Sequence, residues 1–142
     1  MYVHADIHTP FHIDFGWWER NGRNLRPFLA EILGVEELDV GADGPPIDYV
    51  DPYTAEVHQL DPVWAQVLIE RAHRPDYITS STPLTNALLR ALLENVNRPM
   101  SAVELHRRIN RTSPATLLRL MRTAREQYGI VPANNNAAPP KK

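Results

Sequence analysis

Guanidinium and hydroxyl side chains recur at helical spacing in residues 111–123, and both groups are common partners of nucleic-acid phosphates and base edges. With a step of about 100° per residue from Leu117, the polar side chains fall in one arc of a helical wheel and leucine, methionine and alanine fill the other. The pattern therefore predicts a helix with one buried face and one cationic face. The residues that we predict to contact DNA are Arg111, Thr112, Thr116, Arg119 and Arg122.

These five residues would contact different parts of a duplex. The N-terminal residues of a recognition helix meet base edges in the major groove, so we expect Thr116 and Arg119 to reach bases. Arg122 would lie deeper along the groove. Arg111 and Thr112 come before the helix, where side chains reach phosphates.

Two short helices meet at this site. Ser101 and Glu104 have the spacing of a capping box, and Ser113 followed by Pro114 starts the next helix after a four-residue turn. Within residues 83–131, the stretch "LLRALLENVNRPMSAVELHRRINRTSPATLLRLMRTAREQYGIV" resembles the winged-helix branch of the helix-turn-helix family. The resemblance implies three helices, the first strand of a wing and contact with DNA.

The chain departs from the winged-helix pattern at three points. His106 stands where the second helix usually carries a small residue, and Arg111 stands in the turn where an apolar residue is common. Only one strand, at residues 129–131, follows the third helix before the tail. A wing therefore has to take its second strand from the N-terminal half. The alternative is that the three helices form a core or a protein-interaction module whose arginines are solvated or paired with the acidic half.

A second group of residues suggests metal chemistry. Histidine and aspartate alternate near the N-terminus and would share one face of a strand, where such sets can ligate zinc or a related metal. The chain offers few further ligands for a closed coordination sphere, so we expect a polar strand face and no metal. The residues concerned are His4, Asp6, His8, His12 and Asp14.

Other motifs give no catalytic site. Asp39, Asp43 and Gly44 partly match a calcium-binding loop, but Val50 stands where that loop needs a bidentate glutamate. Of the adjacent tryptophans at 17 and 18, we expect Trp18 to pack on a loop of its own chain. No glycine-rich phosphate loop, nucleophile elbow or facing carboxylate pair occurs, so we expect neither enzymatic activity nor a cofactor.

The remaining elements follow from periodicity and capping signals. Alternation over residues 3–15 predicts one strand, or two joined near Pro10, and a helical stripe predicts a helix over 25–33 that ends at Gly34. Residues 47–60 read as a hairpin, and the tail over 133–142 should be disordered. Three helix starts place a capping residue before proline: Asp61-Pro62 and Thr82-Pro83, for helices to about residues 73 and 96, and Ser113-Pro114.

Acidic residues predominate in the N-terminal half of the chain and basic residues in the C-terminal half. Residues 1–70 carry 13 acidic and 3 basic residues, while residues 71–142 carry 4 and 12. We therefore predict an acidic α+β portion over 1–74 packed, through two apolar helices and as one continuous core, on a basic winged-helix-like module over 75–132. The expected partner is DNA, with a protein partner or a second copy at the acidic portion.

With no cysteine, no signal segment and no apolar run of about 20 residues, a cytoplasmic protein is expected.

Overall fold

The computed structural model describes residues 4–35 and 44–133, which form a mixed α+β fold as predicted. The expectations for Val3, for Asp39 and Asp43, and for a disordered tail beyond Ala133 lie outside the described residues. The elements are β1 (Phe11–Ile13), α1 (Phe15–Arg20), α2 (Leu25–Leu33), β2 (Ile47–Val50), β3 (Val57–Leu60), α3 (Pro62–Glu70), α4 (Leu84–Glu94), α5 (Ala102–Ile109), α6 (Pro114–Thr123), α7 (Arg125–Tyr128) and β4 (Ile130–Pro132).

The chain divides into two compact units, and the division differs from the predicted portions 1–74 and 75–132. The basic unit contains Met1–Arg23 and Ser80–Lys142, and the acidic unit is Asn24–Thr79. The basic unit has 12 basic and 6 acidic residues in the sequence, against 3 and 11 for the acidic unit. The two divisions differ because β1 pairs with β4, and because Trp18 of α1 donates a hydrogen bond to Tyr128 near the C-terminus. The acidic composition of residues 1–74 could not predict these contacts.

The core of the basic unit forms where α4, α5 and α6 pack together. Four leucines of α4 (Leu88, Leu89, Leu92 and Leu93) are fully buried, and α5 and α6 each turn an apolar stripe toward them. The largest fully buried side chains of this core are those of Phe11, Ile13, Leu88, Leu89, Leu92, Leu93, Leu105, Leu117, Met121 and Ile130.

Helix capping holds at the predicted residues with one exception. The Ser101 hydroxyl accepts from the Glu104 N–H at 3.2 Å while the Glu104 carboxylate accepts from the Ser101 N–H at 2.9 Å, so the capping box is complete. Ser113 and Asp61 likewise cap α6 and α3. The predicted start at Thr82 was wrong by one residue, because Pro83 itself occupies the N-cap with extended backbone and no capping side chain.

The N-terminal strand is shorter than predicted and supplies the partner strand for the C-terminal one. Residues 6–9 form a turn, and only β1 is extended, antiparallel to β4 with Phe11 opposite Pro132 and Ile13 opposite Ile130. Phe11 also exchanges two backbone hydrogen bonds of 2.8 Å with Met100, between α4 and α5. The strand after the third helix therefore takes its partner from the N-terminal segment, as expected.

Helix α1 is held in place by contacts of Asp14, just before its first residue, and of Trp18, its buried residue. The Asp14 carboxylate accepts from the Trp17 N–H and caps the helix, and Arg20 donates to the same carboxylate at 3.1 Å. Trp18 is buried and its indole N–H donates to the carbonyl of Tyr128. Trp18 therefore packs within its own chain, as predicted, but its hydrogen-bond partner is the last residue of helix α7 and not a loop residue.

The acidic unit contains α2, the β2–β3 hairpin and α3. Gly34 ends α2 in the left-handed region at φ 74°, and the Asp51 carboxylate holds the hairpin turn by accepting from the Tyr53 N–H at 2.8 Å, both as predicted in outline. Helix α3 ends at Glu70, earlier than predicted. Arg26 on α2 forms an ion pair of 2.9 Å with Asp61, the residue that caps α3.

Candidate nucleic-acid interface

Helices α5 and α6 pack against each other across a turn of four residues. Asn110 ends α5 in the left-handed region at φ 51°, a conformation that asparagine tolerates, and Ser113 begins α6. Leu105 on α5 and Leu117 on α6 are fully buried. Local capping signals and one layer of apolar contacts therefore hold the two helices across the four-residue turn.

His106 holds the turn of this motif. Its Nδ1 atom lies 2.5 Å from the carbonyl oxygen of Thr112, and because a carbonyl only accepts, Nδ1 carries the hydrogen. Arg111 is also held, since its guanidinium donates to the carbonyl of Ser80 at 3.0 Å. The large side chain at position 106 thus connects α5 to the turn, and two of the predicted contact residues, Arg111 and Thr112, belong to a turn fixed on both sides.

Helix α6 has the two faces that the helical wheel predicts. Leu117, Met121 and Ala124 are buried, while Arg119 and Arg122 on the opposite side are exposed. Leu118 and Leu120, which were expected to be buried, are only half-buried. The apolar face is consequently narrower than the predicted arc.

The predicted contact residues of α6 differ in how they are held. Across the described ranges we find no hydrogen bond or ion pair to the guanidinium of Arg119. Arg122 donates to the carbonyl oxygen of Ala5 in the N-terminal segment. Thr116 is half-buried and its hydroxyl oxygen accepts from Ser113 at 3.0 Å. Arg119 is thus the most available cation of the set.

Arg125 extends the cationic surface and was missed by sequence reasoning. On a continuous helix, Arg125 would have turned toward the apolar arc. The structure ends α6 at Thr123 and begins α7 at Arg125, whose side chain is exposed. The signal that could have found it is the spacing of three between Arg119, Arg122 and Arg125.

Arg108 belongs to a structural ion pair. Its Nε and Nη2 atoms donate to the two carboxylate oxygens of Glu94 at 2.7 and 3.1 Å. Such a bidentate pair is among the stronger charge-assisted contacts. It connects α5 to α4, and the Glu94 carboxylate neutralises the charge of this arginine.

The predicted face of alternating histidines and aspartates does not form. The Asp6 carboxylate accepts from the His8 N–H at 2.8 Å within the turn, and Asp14 caps α1, so the two carboxylates have separate structural roles. In the residues that the structure describes, no three histidines, cysteines or carboxylates lie together as metal ligands would.

No helix in the described ranges has both the length and the apolar character needed to cross a bilayer. No protein-family model, curated protein or solved structure matches the sequence.

Proposed function

We propose that the basic unit is a DNA-binding module of the winged-helix type in which α6 is the recognition helix. The observation that carries the proposal is the exposure of Arg119 and Arg122 on the face of α6 opposite its buried leucine and methionine. A cationic stripe on the second helix of a helix-turn-helix is the electrostatic feature that DNA contact requires. Thr116 would contact bases beside Arg119, and Arg111 and Thr112 would lie against phosphates.

The strand arrangement supports the winged-helix likeness. β1 pairs antiparallel with β4, which follows the third helix, and Phe11 of β1 also pairs with Met100, which lies between α4 and α5. In the proposed module this arrangement takes the place of the wing, with β1 as a strand contributed by the N-terminal segment.

The charge of the basic unit also supports the proposal. Its excess of six positive charges is concentrated in arginine, and the exposed arginines include Arg119, Arg122 and Arg125. Long-range attraction to a polyanion increases with such an excess and weakens with salt. We propose binding without catalysis, cofactor or metal, in the cytoplasm.

A titration of duplex DNA into the full chain, followed by fluorescence anisotropy, tests the function. If three or so cations neutralise phosphates, the logarithm of the affinity should fall with the logarithm of salt with a slope of roughly -3 between about 50 and 200 mM. Absence of binding at the lowest salt concentration would contradict the proposal.

A protein-interaction module is the second candidate, and one observation favours it. In the acidic unit, the cross-strand pair Val50 and Val57 is 56% and 61% exposed, and Tyr53 at the hairpin tip is 94% exposed. Apolar side chains grouped on an exposed surface are typical of a protein contact. A chain that binds a protein through this hairpin and shows no affinity for DNA would fit this candidate alone.

A further inference from the structure

The outer edge of β3, in the acidic unit, presents backbone groups that the hairpin does not use. The Asp51 N–H donates to the carbonyl of Glu56 at 2.9 Å, and antiparallel ladders alternate between pairs that exchange such bonds and pairs that do not. The next pair, Val50 and Val57, therefore directs its N–H and C=O groups away from each other, and the same alternation gives Gln59 this outward orientation. In the described part of the chain, these outward groups of Val57 and Gln59 make no hydrogen bond.

This edge lacks the protection that exposed strands usually have. Sheet edges are commonly blocked by lysine, by proline or by a covering element. β2 follows two prolines, Pro45 and Pro46, and packs on α3. β3 contains no lysine, arginine or proline. The edge of β3, rather than that of β2, is therefore the one at which a further strand can pair.

An added strand would meet a different surface on each face of the hairpin. Val50 and Val57 lie opposite each other, are both more than half exposed, and form an apolar strip on one face. Glu56 and His58 alternate with Val57 and lie on the other face, where the Glu56 carboxylate is 3.4 Å from Nε2 of His58. A partner strand that alternates apolar and charged residues would place the apolar ones beside Val57 and the charged ones beside Glu56.

The charge of the acidic unit favours a basic partner. Residues 27–70 contain ten acidic residues and no lysine or arginine. A second copy of the chain that paired through β3 would place two such acidic surfaces against each other, and like charges across an interface oppose association. A segment with lysine or arginine would instead be attracted by the same charges.

We propose that β3 binds an extended, basic segment of a partner protein by antiparallel strand addition. The partner's apolar side chains lie beside Val57 and its lysine or arginine side chains beside Glu56, while main-chain hydrogen bonds at Val57 and Gln59 hold the segment. This contact is a specific form of the second candidate function, on which it rests. It does not depend on DNA binding by the basic unit, because α5 and α6 take no part in it.

The probe is a short peptide of alternating lysine and valine with both ends blocked. Titrated into the isotopically labelled full chain without DNA, it should shift the amide NMR signals of Val57 and Gln59 saturably, with a dissociation constant of about 0.1 mM. Both N–H groups should also exchange with solvent at least about tenfold more slowly, because they become hydrogen-bonded. A peptide with glutamate for lysine, and one with serine for valine, should each bind at least about tenfold more weakly.

N-methylation of the peptide tests the backbone contact. In an antiparallel pairing, the peptide residues opposite Val57 and Gln59 share the face of those side chains, so they are the valines, and they exchange hydrogen bonds with β3. N-methylated valines should therefore weaken binding at least about tenfold. N-methylated lysines, whose N–H groups would point away from β3, should bind like the unmodified peptide.

Two variants of the chain separate the edge of β3 from the overall charge of the acidic unit. Val57 is 61% exposed and Ile69, on α3, is 57% exposed, so Val57→Lys and Ile69→Lys add the same charge at positions of similar exposure. Val57→Lys should weaken the lysine–valine peptide at least about tenfold, through a lost apolar contact and like charge. Ile69→Lys should change the affinity by less than about twofold, because a distributed charge acts weakly at a distance.

The proposed contact is wrong if the lysine–valine peptide causes no saturable shift or exchange protection at Val57 and Gln59. It is equally wrong if N-methylated valines or the serine peptide bind as well, or if Ile69→Lys weakens binding as much as Val57→Lys. Equal binding of the glutamate peptide would refute the basic partner and leave the hairpin as a protein contact, so the two failures are distinguishable. Self-association of the chain that Val57→Lys abolishes, measured by sedimentation equilibrium, would assign the edge to a second copy and refute the proposal.

Discussion

The indole N–H of Trp18 donates a hydrogen bond of 3.0 Å to the carbonyl oxygen of Tyr128, 110 positions along the chain. Tyr128 ends α7, and the next residue, Gly129, accepts a backbone hydrogen bond of 2.8 Å from Asp14 just before α1. The N-terminal helix is thus attached to the segment that connects the candidate recognition helix to β4.

Replacing Trp18 with Phe tests this attachment. The variant keeps an aromatic ring but leaves the Tyr128 carbonyl without its donor and a gap where the indole packed, so the free energy of unfolding should fall by about 1 to 3 kcal/mol. Urea denaturation measures the change. Unaltered stability would mean that α1 is not attached through this contact.

Gly129→Ala should destabilise the chain more than Gly22→Ala. Both glycines have left-handed backbone, at φ 69° and 65°, so each substitution carries a backbone cost of about 1 kcal/mol. A Cβ at Gly129 would lie 2.8 Å from the Trp17 ring, whereas one at Gly22 meets nothing within 4 Å. Crowding should add about 1 to 3 kcal/mol at Gly129 alone. Equal melting temperatures for the two variants would refute the close approach of Trp17.

The stability contribution of Asp14 should depend on pH. Burial raises the pKa of its carboxyl, but the hydrogen bond and charge of Arg20, with the N–H groups of Trp17 and Gly16, outweigh burial and hold the pKa below 3.8. The contribution is therefore complete above about pH 4 and is lost as the pH falls through the folded-state pKa. Asp14→Asn retains a capping side chain but should lack this acid-dependent component. The free energy of unfolding of both proteins, measured at a series of acidic pH values, checks this prediction. If the carboxylate were unpaired, the two proteins would show the same dependence on pH.

The double replacement of Arg119 and Arg122 with Ala separates the two candidate functions. Both side chains are exposed, so unfolding free energy should change by no more than about 0.5 kcal/mol. Specific DNA binding should weaken by a few kcal/mol, at about 1 to 3 kcal/mol for each base contact.

Arg107→Ala is the matched control for that experiment, because Arg107 is an exposed arginine on α5 and not on α6, the proposed contact helix. It should alter DNA binding little. A double variant with unchanged DNA affinity would leave Arg119 and Arg122 as a solvated surface and remove them from the candidate site.

Sequence reasoning predicted the elements whose signals are local. The cap at Ser101 depends on Glu104 three residues later, and the start of α6 depends on Ser113 and its neighbouring proline, so neighbouring residues alone determine both. The period of two over residues 3–15 was misleading because Asp6 uses its carboxylate to close a turn. No proline or glycine marks the interruption between α6 and α7, so it was not predicted, and Arg125 was missed although its spacing of three from Arg122 is visible in the sequence.

The pairing of β1 with β4 has a consequence for the order of folding. Ile13 leaves the ribosome long before Ile130, and the whole of Asn24–Thr79 is synthesised between them. β1 can therefore pair only after β4 has been synthesised. The two strands are far apart in sequence, so the entropy cost of closing the loop between them slows the formation of the sheet. A nascent chain ending before residue 130 would leave Phe11 and Ile13 exposed, and this stage of synthesis is the one at which aggregation or chaperone capture is expected.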